Sequence, residues 1–186
     1  MNQTLPDRIF ICGFMGAGKS TVGRKLAHIF EQPFYDLDEY IEEQTGSSIP
    51  EIFDNEGENE FRKQERTALL SIIRSKEGII ALGGGTLQNQ HIVDHIKVNG
   101  LLVFIRVSID TVLQRVLKSD NRPMLWNEDG SMKSKEKLRT DLAELYKQRL
   151  PFYEQAEVTI NSDAYDSADA LVNQLAKKIK YHVALY

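Results

Sequence analysis

Residues Gly13 to Thr21 read Gly-Phe-Met-Gly-Ala-Gly-Lys-Ser-Thr. Gly13, Gly18, Lys19 and Ser20 satisfy the spacing G-x-x-x-x-G-K-[ST], which cradles the phosphates of a nucleoside triphosphate. The chemistry needs those residue types. Glycines let backbone N–H groups approach phosphate oxygens, a lysine brings a mobile cation, and a hydroxyl offers oxygen to a hard divalent metal. The bland alternative is a plain glycine turn, and the flanks argue against it. Ile9-Phe10-Ile11-Cys12 before the loop is apolar and β-prone, and Val22, Leu26, Ile29 and Phe30 after it stand at helical spacing. Strand, loop and helix start, in that order, aim N–H groups and positive partial charge at an anion.

Three further groups could do chemistry beside such a loop. Asp36-Leu37-Asp38 closes a short predicted strand, Pro33 to Asp36. In a parallel α/β sheet the carboxyl ends of the strands carry the ligands. One carboxylate could hold a Mg²⁺ ion through water and the other could meet an acceptor hydroxyl, or both could simply cap the next helix. Glu58 and Arg62 are spaced i,i+4, and Arg62 and Glu65 i,i+3. They are either exposed helix ion pairs or acids that orient Arg62 to grip a carboxylate with both guanidinium arms. Gly83-Gly84-Gly85 follows a buried-looking strand, Gly78 to Leu82, and permits either close backbone approach to a ligand or a sharp turn.

The elements that must position these groups alternate in type. Strands are predicted at about Arg8–Cys12, Pro33–Asp36, Gly78–Leu82, Leu101–Val107 and Val158–Ile160. Helices are predicted after the glycine loop, at Asp38–Gln44, from Ser48 (with Pro50 and Glu51 in the first turn), and at Glu58–Arg74, Ile109–Lys118 and Ser167–Val183. Several strands are apolar throughout, so the expected fold is α/β: a three-layer sandwich with a central, mostly five-stranded parallel sheet covered by helices on both faces. One domain is expected over residues 1–186. Ser119 to Ser134 is polar and aperiodic, with Arg122-Pro123 and Met124, Leu125 and Trp126 inside it. It reads as a mobile lid, the alternative being a surface loop.

Composition narrows the partners. The 186-residue chain is 41% apolar and 27% charged, the profile of an ordinary soluble domain. A net charge of −4 argues against a broad nucleic-acid footprint but not against a local phosphate site. Cys12 is the single cysteine, so no internal disulfide forms, which fits a reducing cytoplasm. Cys12 itself reads as a small core residue. No apolar run reaches membrane-spanning length, and Met1 to Asp7 has no secretory character, so no membrane partner is expected. His91 and His95 share a helix face at i,i+4 but have no glutamate or cysteine partner placed nearby in sequence. Like His28 and His182, they read as an exposed face. Lys177, Lys178 and Lys180 read as a solvated helix face.

Taken in order, the segments resemble one family. They are Gly13 to Thr21; Asp36-Leu-Asp38 with Ile41-Glu42; Gly46-x-Ser48-Ile49-x-Glu51-Ile52-Phe53 leading to Gly57-Glu58-x-x-Phe61-Arg62-x-x-Glu65; Gly83 to Gly85; and Arg122-Pro123-Met-Leu125 followed by Arg149-x-Pro151-x-Tyr153. The chain is similar to the shikimate kinases, within the nucleoside-monophosphate-kinase-like branch of P-loop proteins. That resemblance implies transfer of the γ-phosphoryl of ATP to the 3-hydroxyl of shikimate, with Mg²⁺, by a cytoplasmic monomer. It also implies roles. ATP would be held by Gly13, Met15, Gly16, Ala17, Gly18, Lys19, Ser20 and Thr21, with Arg115 packed on adenine and Arg122 closing on the phosphates. Ser20 would hold the metal directly and Asp36 through water. Asp38, Phe53, Phe61, Arg62, Gly83, Gly84, Gly85 and Arg149 would bind the acceptor, within a helical segment of about 38–74 and the elements facing it. Lys19, Asp38 and Arg122 would be the catalytic set. An ordinary aspartate, with a pKa near ~3.9, is a weak base at neutral pH, so Asp38 is expected to orient the hydroxyl and accept its proton late. Two departures from the family pattern stand out: Asn161-Ser162-Asp163 is neutral to acidic where members often carry a basic residue, and the lid runs on to Ser134. The competing readings are a kinase of the same fold for another sugar acid such as gluconate, and an ATP-binding module that transfers nothing.

Overall fold

The structure, a computed structural model, describes residues 5–118 and 131–185. Five strands form one parallel sheet: β1 (Arg8–Cys12), β2 (Phe34–Asp36), β3 (Gly78–Ala81), β4 (Leu101–Arg106) and β5 (Val158–Asn161). Their spatial order is β2-β3-β1-β4-β5. Ile9, Phe10 and Ile11 of β1 face Ile79, Ile80 and Ala81 of β3 on one side and Leu101, Leu102 and Val103 of β4 on the other. All six residues from β1 and β4 in this register are essentially buried, as are their β3 partners. A strand that is apolar on both faces must be covered on both faces, which explains the unbroken apolar runs. The strands end within a residue or two of the predicted limits, and the three-layer α/β expectation holds.

Among the described residues seven α-helices flank the sheet: α1 (Lys19–Phe30), α2 (Leu37–Thr45), α3 (Ile49–Ser75), α4 (Gln90–Asn99), α5 (Ile109–Val116), α6 (Lys135–Tyr153) and α7 (Ala168–Leu185). α1 packs on β3 and α7, α4 on β4, α5 on α6 and α2 on α3. Ser48 and Glu51 close a complete capping box at the start of α3, with Pro50 in its first turn. α3 breaks at Gly57, where φ is 82° and ψ is 169°, so the two helices predicted around that residue are both present, joined at a kink. α6 was not among the predicted helices. It carries Arg149 into the site and has Pro151 in its last turn. No helix among the described residues is long and apolar enough to cross a membrane.

Candidate active site

The phosphate loop leaves β1 at Gly13, whose φ of 146° and close approach suit only glycine: a Cβ there would lie 2.6 Å from the Ile105 carbonyl oxygen. Gly18, at φ 89°, is the residue before α1 and has no side chain to cap it. No side chain at Gly18 therefore competes with an anion at the start of α1. Lys19 Nζ reaches back over the loop to the Phe14 carbonyl at 3.3 Å. Arg115 of α5 donates to the Gly16 carbonyl at 2.5 Å, tying the loop's outer side. Gly16, Ala17, Gly18, Thr21, Arg115 and Tyr165 line a cleft of about 390 Å³ on that side. The acidic departure at Asp163 has a local explanation. Its carboxylate accepts from the Ser108 backbone at 2.6 Å and from Thr111 Oγ1 at 2.8 Å, so it braces the start of α5. Burial alone would raise the Asp163 pKa, yet these hydrogen bonds hold it below the ordinary range.

At the end of β2, the helix-cap reading of the Asp-x-Asp pair holds for Asp36, which also meets a hydroxyl of the phosphate loop. Asp36 Oδ1 caps α2 by accepting from the Asp38 backbone at 3.0 Å, while its Oδ2 accepts from Ser20 Oγ at 2.5 Å. A hydroxyl and a carboxylate side by side are hard oxygen donors, the set Mg²⁺ prefers. No cluster of three or more His, Cys, Asp or Glu side chains among the described residues forms a closed metal cage. Ser20 Oγ and the Asp36 carboxylate are the oxygen donors that fit a magnesium ion here.

Asp38 faces the glycine turn after β3. A Cβ on Gly83 would stand 2.8 Å from Asp38 Oδ1 and 3.0 Å from both Glu65 Oε1 and Thr86 Oγ1. Only a glycine lets the three oxygens gather there. Burial pushes the Asp38 carboxyl up to about 6; Asp36 adds to the rise, Lys19 opposes it, and Glu65 and Glu42 add more. Asp38 is therefore a better proton acceptor near neutral pH than the ordinary aspartate assumed from the sequence.

Arg62 uses its local acids and its site together. It pairs with Glu58 at 3.2 Å and with buried Glu65 at 2.8 Å, and its guanidinium lies where a Cβ on Gly85 would be 2.8 Å from Nη2. Thr86 Oγ1 donates to the other oxygen of Glu65 at 2.7 Å. Phe53 and Phe61 stack across the Gly57 kink with centroids 4.6 Å apart, and Arg62 sits over Phe61. Arg149 arrives from α6, donates to the Gly84 carbonyl at 2.8 Å and lies over the Phe14 ring. Met15 completes the junction, because its backbone nitrogen would be 3.2 Å from a Cβ on Gly84.

Two buried contributors were missed from the sequence. Thr86 carries no motif signal, and Tyr153 stood in a matching motif without an assigned role. Arg122 lies outside the described residues. His91 and His95 sit on the exposed side of α4, in line with the expectation. Cys12 is buried in β1, where desolvation raises its thiol pKa well above the ordinary range, as for an inert core residue.

A glycine loop at the centre of a parallel sheet, a hydroxyl–carboxylate pair beside it and a cluster of Asp38, Arg62 and Arg149 around a second glycine turn mark a P-loop phosphotransferase. Residues 15–180 match the family profile described as shikimate kinase. A shikimate kinase from Chlorobium chlorochromatii is 34% identical over 97% of this chain and 95% of its own length. The crystal structure of shikimate kinase from Bacteroides thetaiotaomicron superposes with a TM-score of 0.82 at 30% identity, covering 95% of this chain and 98% of that one. Shikimate kinase from Acinetobacter baumannii, solved in complex with shikimate, gives 0.81 at 35% identity, covering 98% and 95%. The chain belongs to the shikimate kinase family.

Proposed function

We propose that this chain transfers the γ-phosphoryl group of ATP to the 3-hydroxyl of shikimate. The observation that carries the reading is the Gly83–Gly85 turn, against which Asp38, Arg62 and Arg149 all rest, while its middle residue touches the phosphate loop. Two guanidinium groups on successive glycines suit a carboxylate, and a carboxylate beside them suits hydroxyls. An acceptor lacking either group would forgo these charge-assisted contacts.

In this reading Lys19 and the N–H groups of α1 hold the β- and γ-phosphates, and Arg115 borders the base. Ser20 directly and Asp36 through water would hold Mg²⁺, which would supply charge neutralisation on the phosphates. The acceptor oxygen forms the new P–O bond as the bond to the ADP oxygen breaks, and the hydroxyl proton passes to Asp38. Such transfer depends on in-line placement and charge more than on covalent help. Phe53 and Phe61 wall the ring. Arg122 of the lid, about 119–134, enters from the sequence alone, as the cation that closes on the transferred group. The chain acts as a single kinase domain, a cytoplasmic monomer, with the acceptor seated along residues 38–74.

The experiment is ADP release with shikimate, quinate, gluconate and nucleoside monophosphates as acceptors, with and without Mg²⁺. Strong, Mg²⁺-dependent preference for shikimate is expected. Preference for gluconate would overturn the acceptor, and loss of ATP turnover with every acceptor would overturn the activity.

A further inference from the structure

The Gly84 carbonyl has two side-chain donors from one helix. Tyr153 Oη donates at 2.5 Å and Arg149 Nη1 at 2.8 Å, both from α6. Two donors occupy the two lone pairs of a carbonyl oxygen. Tyr153 is 1% exposed. Its ring is fixed by Phe104, 5.3 Å between centroids, and by Tyr146 at 6.5 Å. Burial pushes the phenol pKa up, so the hydroxyl remains a donor throughout the working range. Arg149 differs: it is only half-buried and lies over the Phe14 ring.

This arrangement sets up a competition. If Arg149 grips the acceptor carboxylate, as the function proposed above requires, it must give up some or all of its bond to Gly84. A carbonyl whose sole donor departs is left unsatisfied, and that penalty would be subtracted from acceptor affinity. We propose that Tyr153 is a positioning residue for the acceptor: it holds the Gly84 carbonyl when Arg149 swings away, and so frees the guanidinium for the carboxylate. It acts through Arg149 and through the backbone of the glycine turn, without touching the acceptor. The inference rests on the carboxylate-binding role of Arg149.

Tyr153→Phe keeps the ring packing and deletes only the donor. Its effect is read in the full chain as KM for shikimate against KM for methyl shikimate, in which the carboxylate is masked. The KM for shikimate should rise about tenfold, while KM for the ester, KM for ATP and kcat stay within about twofold. The preference for acid over ester therefore shrinks by about tenfold. A purely structural role would raise both acceptors together and would overturn the inference, as would an unchanged preference. Arg149→Lys supplies a second test that does not depend on one variant folding well. It should lose most of the preference, and adding Tyr153→Phe to it should change the remainder by less than about twofold. Additive losses would overturn the inference. A wild-type chain that phosphorylates neither acceptor overturns the functional reading itself. One that phosphorylates both, with its preference unaltered in Tyr153→Phe, overturns this inference alone.

Discussion

Gly83 and Gly85, in the turn after β3, should fail in different ways when each is given a methyl group. Gly83→Ala places its Cβ 2.8 Å from Asp38 Oδ1 and 3.0 Å from Glu65 Oε1 and Thr86 Oγ1. Ordinary contact starts near 3.4 Å, so Asp38 must retreat by about 0.6 Å, and misplacement on the 1 Å scale costs about 10²-fold in rate. A loss of kcat of about 10- to 10²-fold is expected at saturating ATP and shikimate. Overpacking adds a stability loss of about 1–3 kcal/mol, small enough for a folded protein. Gly85→Ala instead meets the Arg62 guanidinium at 2.8 Å. That group is the end of a long side chain, so it yields, and the cost falls on gripping the acid: KM for shikimate should rise about tenfold with kcat less affected. The assay is steady-state ADP release by both variants, beside thermal unfolding to confirm the fold. Gly83→Ala with kcat within about threefold of wild type, or two variants with the same split between kcat and KM, would refute the assignment of Asp38 and Arg62 to separate tasks.

Asp38→Asn should remove turnover yet stabilise the nucleotide-free protein at pH 8. The folded pKa of Asp38 is raised to about 6 from 3.8, so the native state favours its neutral form. Wild-type stability from this group is therefore full below about 3.8 and is lost as pH rises through 6, whereas the amide is indifferent. The gap should reach at most about 3 kcal/mol above pH 7 and close near pH 4. Unfolding in EDTA at the two pH values checks it, and a gap independent of pH refutes it. Gly57→Ala should cost about 1–3 kcal/mol through backbone strain alone, since its φ and ψ of 82° and 169° belong to glycine and nothing lies within 4 Å of its Cβ position; an unchanged denaturation midpoint contradicts this. Arg115→Ala frees the Gly16 carbonyl and opens the cleft beside the loop, so KM for ATP should rise about fivefold or more with KM for shikimate within about twofold. Equal changes in both would remove Arg115 from the nucleotide side.

What the sequence revealed about the site follows from the range of each contact. The phosphate loop, the Asp36 cap and the pairing of Arg62 with Glu58 and Glu65 all involve residues a few positions apart, and each was visible as spacing. The Thr86–Glu65 bond spans 21 residues and the Tyr153–Gly84 bond 69, so no local pattern points to either. α6 escaped for a different reason. Only Leu138, Leu142 and Tyr153 of its 19 residues are buried, too sparse an apolar stripe to mark a helix, and Pro151 suggests a break. The Gly57 kink was readable as a gap between two helices, but not its consequence, the contact between Phe53 and Phe61. Alternation of strands and helices implied a parallel sheet, whereas the order of its strands depends on pairings made far along the chain.

That order constrains how the protein is made. Among the described residues β2 pairs with β3 alone, and β3 lies between it and β1. As the chain emerges from the ribosome, β1, the phosphate loop and β2 are synthesised well before Gly78–Ala81. Until then the two early strands lack the partner that joins them, and their apolar surface and open edges are hazards for aggregation. The helices α2 and α3 occupy that interval, and their mutual packing is local in sequence and available early. Insertion of β3 then joins β1 to β2 and delivers the glycine turn between them. The phosphate loop and the cluster of Asp38, Arg62 and Arg149 are thus brought together in one event, the docking of a four-residue strand.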